Sequence, residues 1–200
     1  MYNLLTVALL SLFPASSQPA CSNIVHIGDS LTVHSRQFQA VEYKKIGFPN
    51  AIISAAGSRS VFTKMPNDPL TGLEAVRYYK KRVDKDACWV IALGTNDSPA
   101  YKYENIGNRV SAVMGELKGR RVAWVSVWKG WGNHNNKSAT IWNDMLEDKA
   151  IRNTNMHVIG WDRFIQSRQN LLNPDKVHYG STGSKLRAEF IAKWIKKAWF

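Results

Sequence analysis

The chain has 200 residues, 44% of them hydrophobic and 21% charged, which suffices for a real core and excludes global disorder. Lysine and arginine number 27 against 15 acidic residues, a formal net charge of +12 that predicts attraction to anionic surfaces: wall polymers, lipid head groups or acidic glycans. The basic residues are scattered and no nucleic-acid motif accompanies them, so no nucleic-acid partner is expected.

Residues 1–17 carry no charged side chain. Leu4 to Phe13 form an apolar run too short to span a bilayer, and Ala15-Ser16-Ser17 places small residues where a signal peptidase reads. This predicts a secretory signal peptide over 1–17, a single domain over 18–200, and a secreted, periplasmic or cell-envelope address. A retained amphiphilic anchor is the alternative. A lipoprotein is disfavoured, because Gln18-Pro19-Ala20 lacks the aliphatic residue expected three positions before a lipidated Cys21.

The stretch Asn23-Ile24-Val25-His26-Ile27 reads as a buried parallel strand, and Gly28-Asp29-Ser30-Leu31 follows at its carboxyl end. Ligands in open α/β sheets bind beyond that edge, so Ser30 is a candidate nucleophile. Ser35 to Gly47 has helical spacing through Phe38, Val41 and Ile46. Asn50 to Ala56 is a second short apolar run, ending in Gly57. Pro69 to Val83 looks helical, with Leu70, Leu73, Val76, Tyr79 and Val83 on one face. Trp89 to Leu93 is the next buried strand, and Gly94-Thr95-Asn96-Asp97 follows at once. Tyr103 to Lys118 is helical, Arg121 to Trp128 a strand, Ser138 to Ile151 a helix opened by a serine cap, and Met156 to Trp161 the last strand. In the final helix, Thr182 to Trp199, the apolar face is Leu186, Phe190, Ile191, Trp194 and Ile195, and the outer face Lys185, Arg187, Lys193, Lys196 and Lys197. The alternation of strands and helices predicts a parallel sheet with helices on both faces.

Just before the last helix comes Asn173-Pro174-Asp175-Lys176-Val177-His178-Tyr179-Gly180. With Gly28-Asp29-Ser30-Leu31, Gly57 and Gly94-Thr95-Asn96-Asp97, in that order, these segments resemble the SGNH (GDSL-type) hydrolase family over almost the whole chain after the leader. Ser30, Gly57, Asn96 and His178 match the four residues in its name. The resemblance implies a three-layer α/β/α sandwich with a flavodoxin-like parallel sheet of strand order 2-1-3-4-5. It also implies a serine esterase, with Ser30 as nucleophile, His178 as base and Asp175 as the group that orients the imidazole. The implied oxyanion donors are the backbone N–H groups of Ser30 and Gly57 and the side chain of Asn96. Acyl transfer to a glycan hydroxyl is the alternative reaction, and a non-catalytic binder of anionic wall polymer the alternative class.

Asp29 is expected to bond backbone around the nucleophile turn, and His26 to be a core residue; His34, His134 and His157 have no motif support. Trp128, Trp131 and His134 lie at or beyond a strand's carboxyl end, as substrate contacts or as aromatics covering the sheet end. No spacing suggests a metal site, no cofactor is called for, and a monomer is expected. Cys21 and Cys88 are the only cysteines and precede Gly28 and Gly94 by similar distances in sequence. In the strand order the family implies, their strands are neighbours, which predicts a disulfide at the edge opposite the nucleophile.

Overall fold

The computed structural model describes residues 21–64, 66, 70–97, 103–130 and 136–199. The segment read as a signal peptide lies outside these residues, as do Trp131 and His134. Five strands, β1 (Ile24–Gly28), β2 (Ile52–Ala55), β3 (Cys88–Ala92), β4 (Val122–Val125) and β5 (Met156–Ile159), form one sheet in the order β2-β1-β3-β4-β5. Every pairing is parallel. This is the strand order expected from the resemblance. The helices are α1 (Ser30–Lys45), α2 (Gly72–Lys80), α3 (Tyr103–Glu116), α4 (Asn136–Arg152), α5 (Trp161–Ile165) and α6 (Ser181–Trp199).

The central strands β1 and β3 are buried along their whole length, so their continuous apolar runs face helices on both sides. Alternate residues serve opposite faces. Val25, Ile27, Trp89, Ile91, Val122 and Trp124 pack with α2, α3 and α4. Ile24, Cys88, Val90, Ala92, Ala123 and Val125 pack with α1, α5 and α6. His26 belongs to this second face and is fully buried, as a core histidine should be. Its Nδ1 lies 2.9 Å from the Tyr43 hydroxyl. Burial, and then the positive charge of Arg187, hold its pKa well below the usual histidine value, so it is neutral.

Several expectations are corrected. Helix α1 begins at Ser30, five residues before the expected Ser35, because Asp29 caps it: its Oδ1 accepts from the Leu31 N–H at 3.0 Å. The face α1 buries is Leu31, Thr32, Ser35, Gln39 and Tyr43, while Val41 is 53% exposed. Two of these polar groups are tolerated because they are hydrogen-bonded, one within α1 and one across to α6. Ser35 Oγ donates to the Leu31 carbonyl at 2.9 Å, and Gln39 Nε2 to the Ala188 carbonyl at 3.5 Å. The buried face of α6 is likewise rotated. Arg187, expected outside, is only 2% exposed, whereas Leu186, Phe190 and Trp194 are half-buried. Helix α4 starts at Asn136, so Ser138 is not its cap. Helix α2 starts later than Pro69, behind a capping box in which the Thr71 N–H donates to Glu74 and the Glu74 N–H to Thr71. The strands expected over 121–128 and 156–161 are shorter, and α5 and a 3-10 turn at Gln169–Leu171 were not anticipated.

The predicted disulfide is present: Cys21 and Cys88 are bonded, with Cα atoms 5.5 Å apart, at the amino-terminal edge of the sheet. Among the described residues, no helix is long and apolar enough to cross a membrane.

Candidate functional site

Register brings three segments to the carboxyl edge of the sheet. Gly28 pairs with Ala55 on one side and Ala92 on the other. Counting on from those pairs, Ser30 and Gly57 each lie two residues beyond the sheet, and Asn96 four. The Ala56 N–H donates to the Gly28 carbonyl at 3.3 Å, which holds the Gly57 turn against the end of β1. A side chain on Gly28 would collide with Thr32, its Cβ falling 2.1 Å from Thr32 Oγ1, so only glycine lets the chain turn directly from β1 into α1. That turn makes Ser30 the first residue of α1, at the positive end of the helix dipole.

A second device presents the partners of Ser30. The loop before α6 is closed by an antiparallel bridge between Leu172 and Tyr179 and by the Asn173 N–H donating to the His178 carbonyl at 2.8 Å. Lys176 takes a left-handed φ of 59°, which turns the loop back on itself. The Tyr179 hydroxyl accepts from Trp161 Nε1 at 2.8 Å and anchors the returning strand in the core. At the tip, Asp175 Oδ1 accepts from the backbone N–H groups of Val177 and His178, both at 2.9 Å. Asp175 Oδ2 lies 2.8 Å from His178 Nδ1, and His178 Nε2 lies 2.9 Å from Ser30 Oγ. An ionised carboxylate only accepts, so Nδ1 carries the hydrogen and Nε2 accepts from the serine hydroxyl. Partial desolvation opposes ionisation of Asp175. The Val177 N–H, the His178 ring and the His178 N–H outweigh it and hold the pKa at about 2. The carboxylate is therefore ionised wherever an imidazole titrates.

Beside the serine, Asn96 and Asp97 fasten the loop that carries Gly57. Asn96 Nδ2 donates to the Arg59 carbonyl at 3.1 Å, which leaves the second hydrogen of its amide. Asp97 is fully buried, and both its oxygens accept from the Val61 N–H at 3.1 Å. Arg109 Nε on α3 is 3.5 Å from Asp97 Oδ1, and the guanidinium carbon lies 4.8 Å from the centre of the Phe62 ring. Burial pushes Asp97 up to about 6 against the pull of the Val61 N–H and Arg109. Ser58, next to Gly57, has a left-handed φ of 56°, a strained value for a non-glycine residue.

Asp29, immediately before the nucleophile, is 1% exposed, and burial raises its pKa against the opposing charge of Arg187. Lys129, past the end of β4, is 3% exposed; desolvation lowers it to about 8, against the attraction of Asp29. Its neighbour Gly130 donates to the Lys176 carbonyl at 2.7 Å, tying this strand end to the loop of Asp175 and His178.

The structure thus brings together Ser30, His178 and Asp175, with Gly57 and Asn96 on adjoining strand ends. Trp128 is 6% exposed and belongs to the buried cluster that also holds Val125, Trp161 and Tyr179. Among the described residues no group of three or more His, Cys, Asp or Glu could hold a metal ion. Sequence reasoning passed over His34, whose ring centroid is 5.0 Å from that of His178. The available signal was its position one helical turn beyond Ser30 once α1 is known to start there.

No protein-family model matches the chain. No curated protein matches it either. Solved structures do. The C-terminal catalytic domain of peptidoglycan O-acetyltransferase A from Streptococcus pneumoniae superposes with a TM-score of 0.71 at 19% identity, over 90% of this chain and 96% of that one. The lipase/acylhydrolase from Enterococcus faecalis gives 0.70 at 14% identity, over 88% and 96%. A member of the lipolytic G-D-S-L family from Veillonella parvula gives 0.70 at 15%, over 86% and 96%. The chain has the SGNH hydrolase fold.

Proposed function

We propose that this protein is a secreted serine ester hydrolase in which Ser30, His178 and Asp175 act as nucleophile, base and orienting acid. The observation that carries this is the continuous hydrogen-bonded chain from Ser30 Oγ through both nitrogens of His178 to Asp175, with links of 2.9 and 2.8 Å. His178 takes the Ser30 proton as Oγ attacks the ester carbonyl. The oxyanion that forms accepts from the N–H groups of Ser30 and Gly57 and from the free hydrogen of the Asn96 amide. The imidazolium, held by Asp175, then gives its proton to the departing alkoxide and leaves an acyl-Ser30. Water, deprotonated by the same nitrogen, releases the acid and restores the serine.

The similarity in fold to acylhydrolases supports this reading. The likeness to an O-acetyltransferase catalytic domain supports a second outcome of the same chemistry, in which a glycan hydroxyl replaces water at the acyl-enzyme. Export through the apolar segment at 1–17, a single domain over 18–200 and a monomer complete the proposal. The bonded Cys21–Cys88 pair suits an oxidising compartment, and the net charge of +12 suits an anionic envelope surface.

The test is labelling with a sulfonyl fluoride followed by peptide mapping. Stoichiometric modification of Ser30, with parallel loss of acetyl-ester hydrolysis, is the expected result. Full hydrolytic activity in a protein labelled at Ser30, or in the Ser30→Ala variant, would overturn it.

A further inference from the structure

Helix α1 contributes more than Ser30 to the crevice. His34 stands one turn further on, and side chains four apart share a helix face, each leaning toward the amino terminus. Its ring lies beside that of His178, the centroids 5.0 Å apart and the planes tilted by 41°. His34 is exposed, and among the described residues no hydrogen bond or ion pair engages its ring nitrogens. An imidazole with one donor and one acceptor to offer therefore flanks the base.

The chemistry proposed above says what passes that flank. His178 Nε2 gives its proton to the departing alcohol and later takes one from the hydroxyl that attacks the acyl-enzyme. Leaving and incoming hydroxyl groups both stand at this nitrogen. The oxyanion donors approach from elsewhere, from the backbone at Ser30 and from the ends of β2 and β3. A residue packed beside the His178 ring on α1 borders the alcohol, not the carbonyl oxygen.

We infer that His34 forms the alcohol side of the site and selects hydroxyl-rich alcohols, such as a sugar, as leaving group and as acceptor. A polyol places further hydroxyls next to the reacting one, and each can either donate to the bare ring nitrogen or accept from the N–H of an imidazole. An aryl alcohol such as 4-nitrophenol offers no such group, and it departs as a stable anion that needs no proton. This inference rests on the proposed acyl-enzyme chemistry.

The experiment compares the full chain with its His34→Ala and His34→Gln variants on two esters, 4-nitrophenyl acetate and 6-O-acetylglucose, whose other hydroxyls are free. Added glucose serves as acceptor in a third arm, read as the ratio of acetyl transfer to hydrolysis. Sulfonyl-fluoride labelling of Ser30 is scored first in all three proteins. The His34→Ala change is expected to lower kcat/KM for the sugar ester about tenfold more than for the aryl ester, the worth of one hydrogen bond. The transfer ratio should fall with it. Glutamine, which keeps one donor and one acceptor, should restore most of the difference. Equal losses on both esters, or none on either, in proteins that label at Ser30 would overturn the role of His34 alone. An original protein that does not label at Ser30 would overturn the acyl-enzyme reading and this inference together.

Discussion

Against one face of the sheet, Trp89, Ile91 and Trp124 meet Ile106, Val110, Trp142 and Leu146 in an apolar layer. Against the other, His26 bonds to Tyr43, and Ser35, Gln39 and Arg187 lie buried where α1 and α6 pack. The apolar face follows helical and strand periodicity closely. The polar face does not, and it is the one that carries Ser30 at the start of α1 and leads α6 out of the loop of Asp175 and His178. Small or hydrogen-bonded polar residues let α1 and α6 lie close, and the buried charge of Arg187 is set against that of Asp29, the cap of α1. Volume governs one layer and polar satisfaction the other.

Substitutions should separate the two regimes. The largest effect is expected at the head of the polar face. Ser30→Ala should lower ester hydrolysis by about 10⁴-fold or more. Stability should change by no more than about 0.5 kcal/mol, because the half-buried hydroxyl fills no core volume. Steady-state kinetics and urea denaturation read both quantities, and a large loss of stability would show that Ser30 is a packing residue.

The next contrast uses two changes that preserve volume. Ile91→Leu, in the apolar layer, should cost less than about 1.5 kcal/mol. Arg187→Met, in the polar one, should cost about 3–5 kcal/mol, because it leaves the Asp29 carboxylate buried without its counter-charge. Equal costs in chemical denaturation would erase the distinction between the faces.

Buried acid should also show in the pH dependence of stability. Asp97 holds its proton up to about pH 6 when folded, against a value of 3.8 when unfolded. Between those values the folded state binds more protons than the unfolded one, so this contribution is fully present below pH 3.8 and is lost as pH rises through 6. The loss amounts to about 3 kcal/mol across the window. Asp29, raised in the same direction, adds to it with the same sign. Asp97→Asn should flatten the profile measured by denaturation between pH 4 and 6.5, and an unchanged slope would remove Asp97 as its source.

The smallest effect is expected at Gly57. A Cβ there meets nothing within 4 Å and its φ is not positive, so Gly57→Ala should change stability by less than about 0.5 kcal/mol. Gly94 is the counterpart in the tight layer. Its φ is +130°, and a Cβ would lie 2.3 Å from the Trp142 ring, so Gly94→Ala should cost about 1–3 kcal/mol. Thermal denaturation of the pair tests the difference in packing.

What the sequence by itself determined is the order of the elements, the parallel sheet and the identity of the residues at its carboxyl edge. Apolar runs such as Ile24–Ile27 and Trp89–Leu93 have few ways to be buried, and a glycine directly after such a run marks where the chain leaves the sheet. The cysteine pair was legible because similar counts back from Gly28 and Gly94 reach the same edge, on strands that the order implied by the family resemblance makes neighbours. Periodicity failed on α1 and α6. It pointed to Val41 and Leu186 and away from Ser35, Gln39 and Arg187, because a polar residue's burial depends on partners that hydrophobicity does not encode. Ser35 bonds within its own helix, but Gln39 bonds to Ala188 and Arg187 to Ser35, each across about 150 positions of chain. Only the tertiary structure decided those contacts, and with them the 2.9 Å approach of His178 to Ser30 and the place of His34 beside it. Local chain physics sets which residues lie on a helix face. Which helix that face meets is a long-range packing outcome, and here it assembled the site.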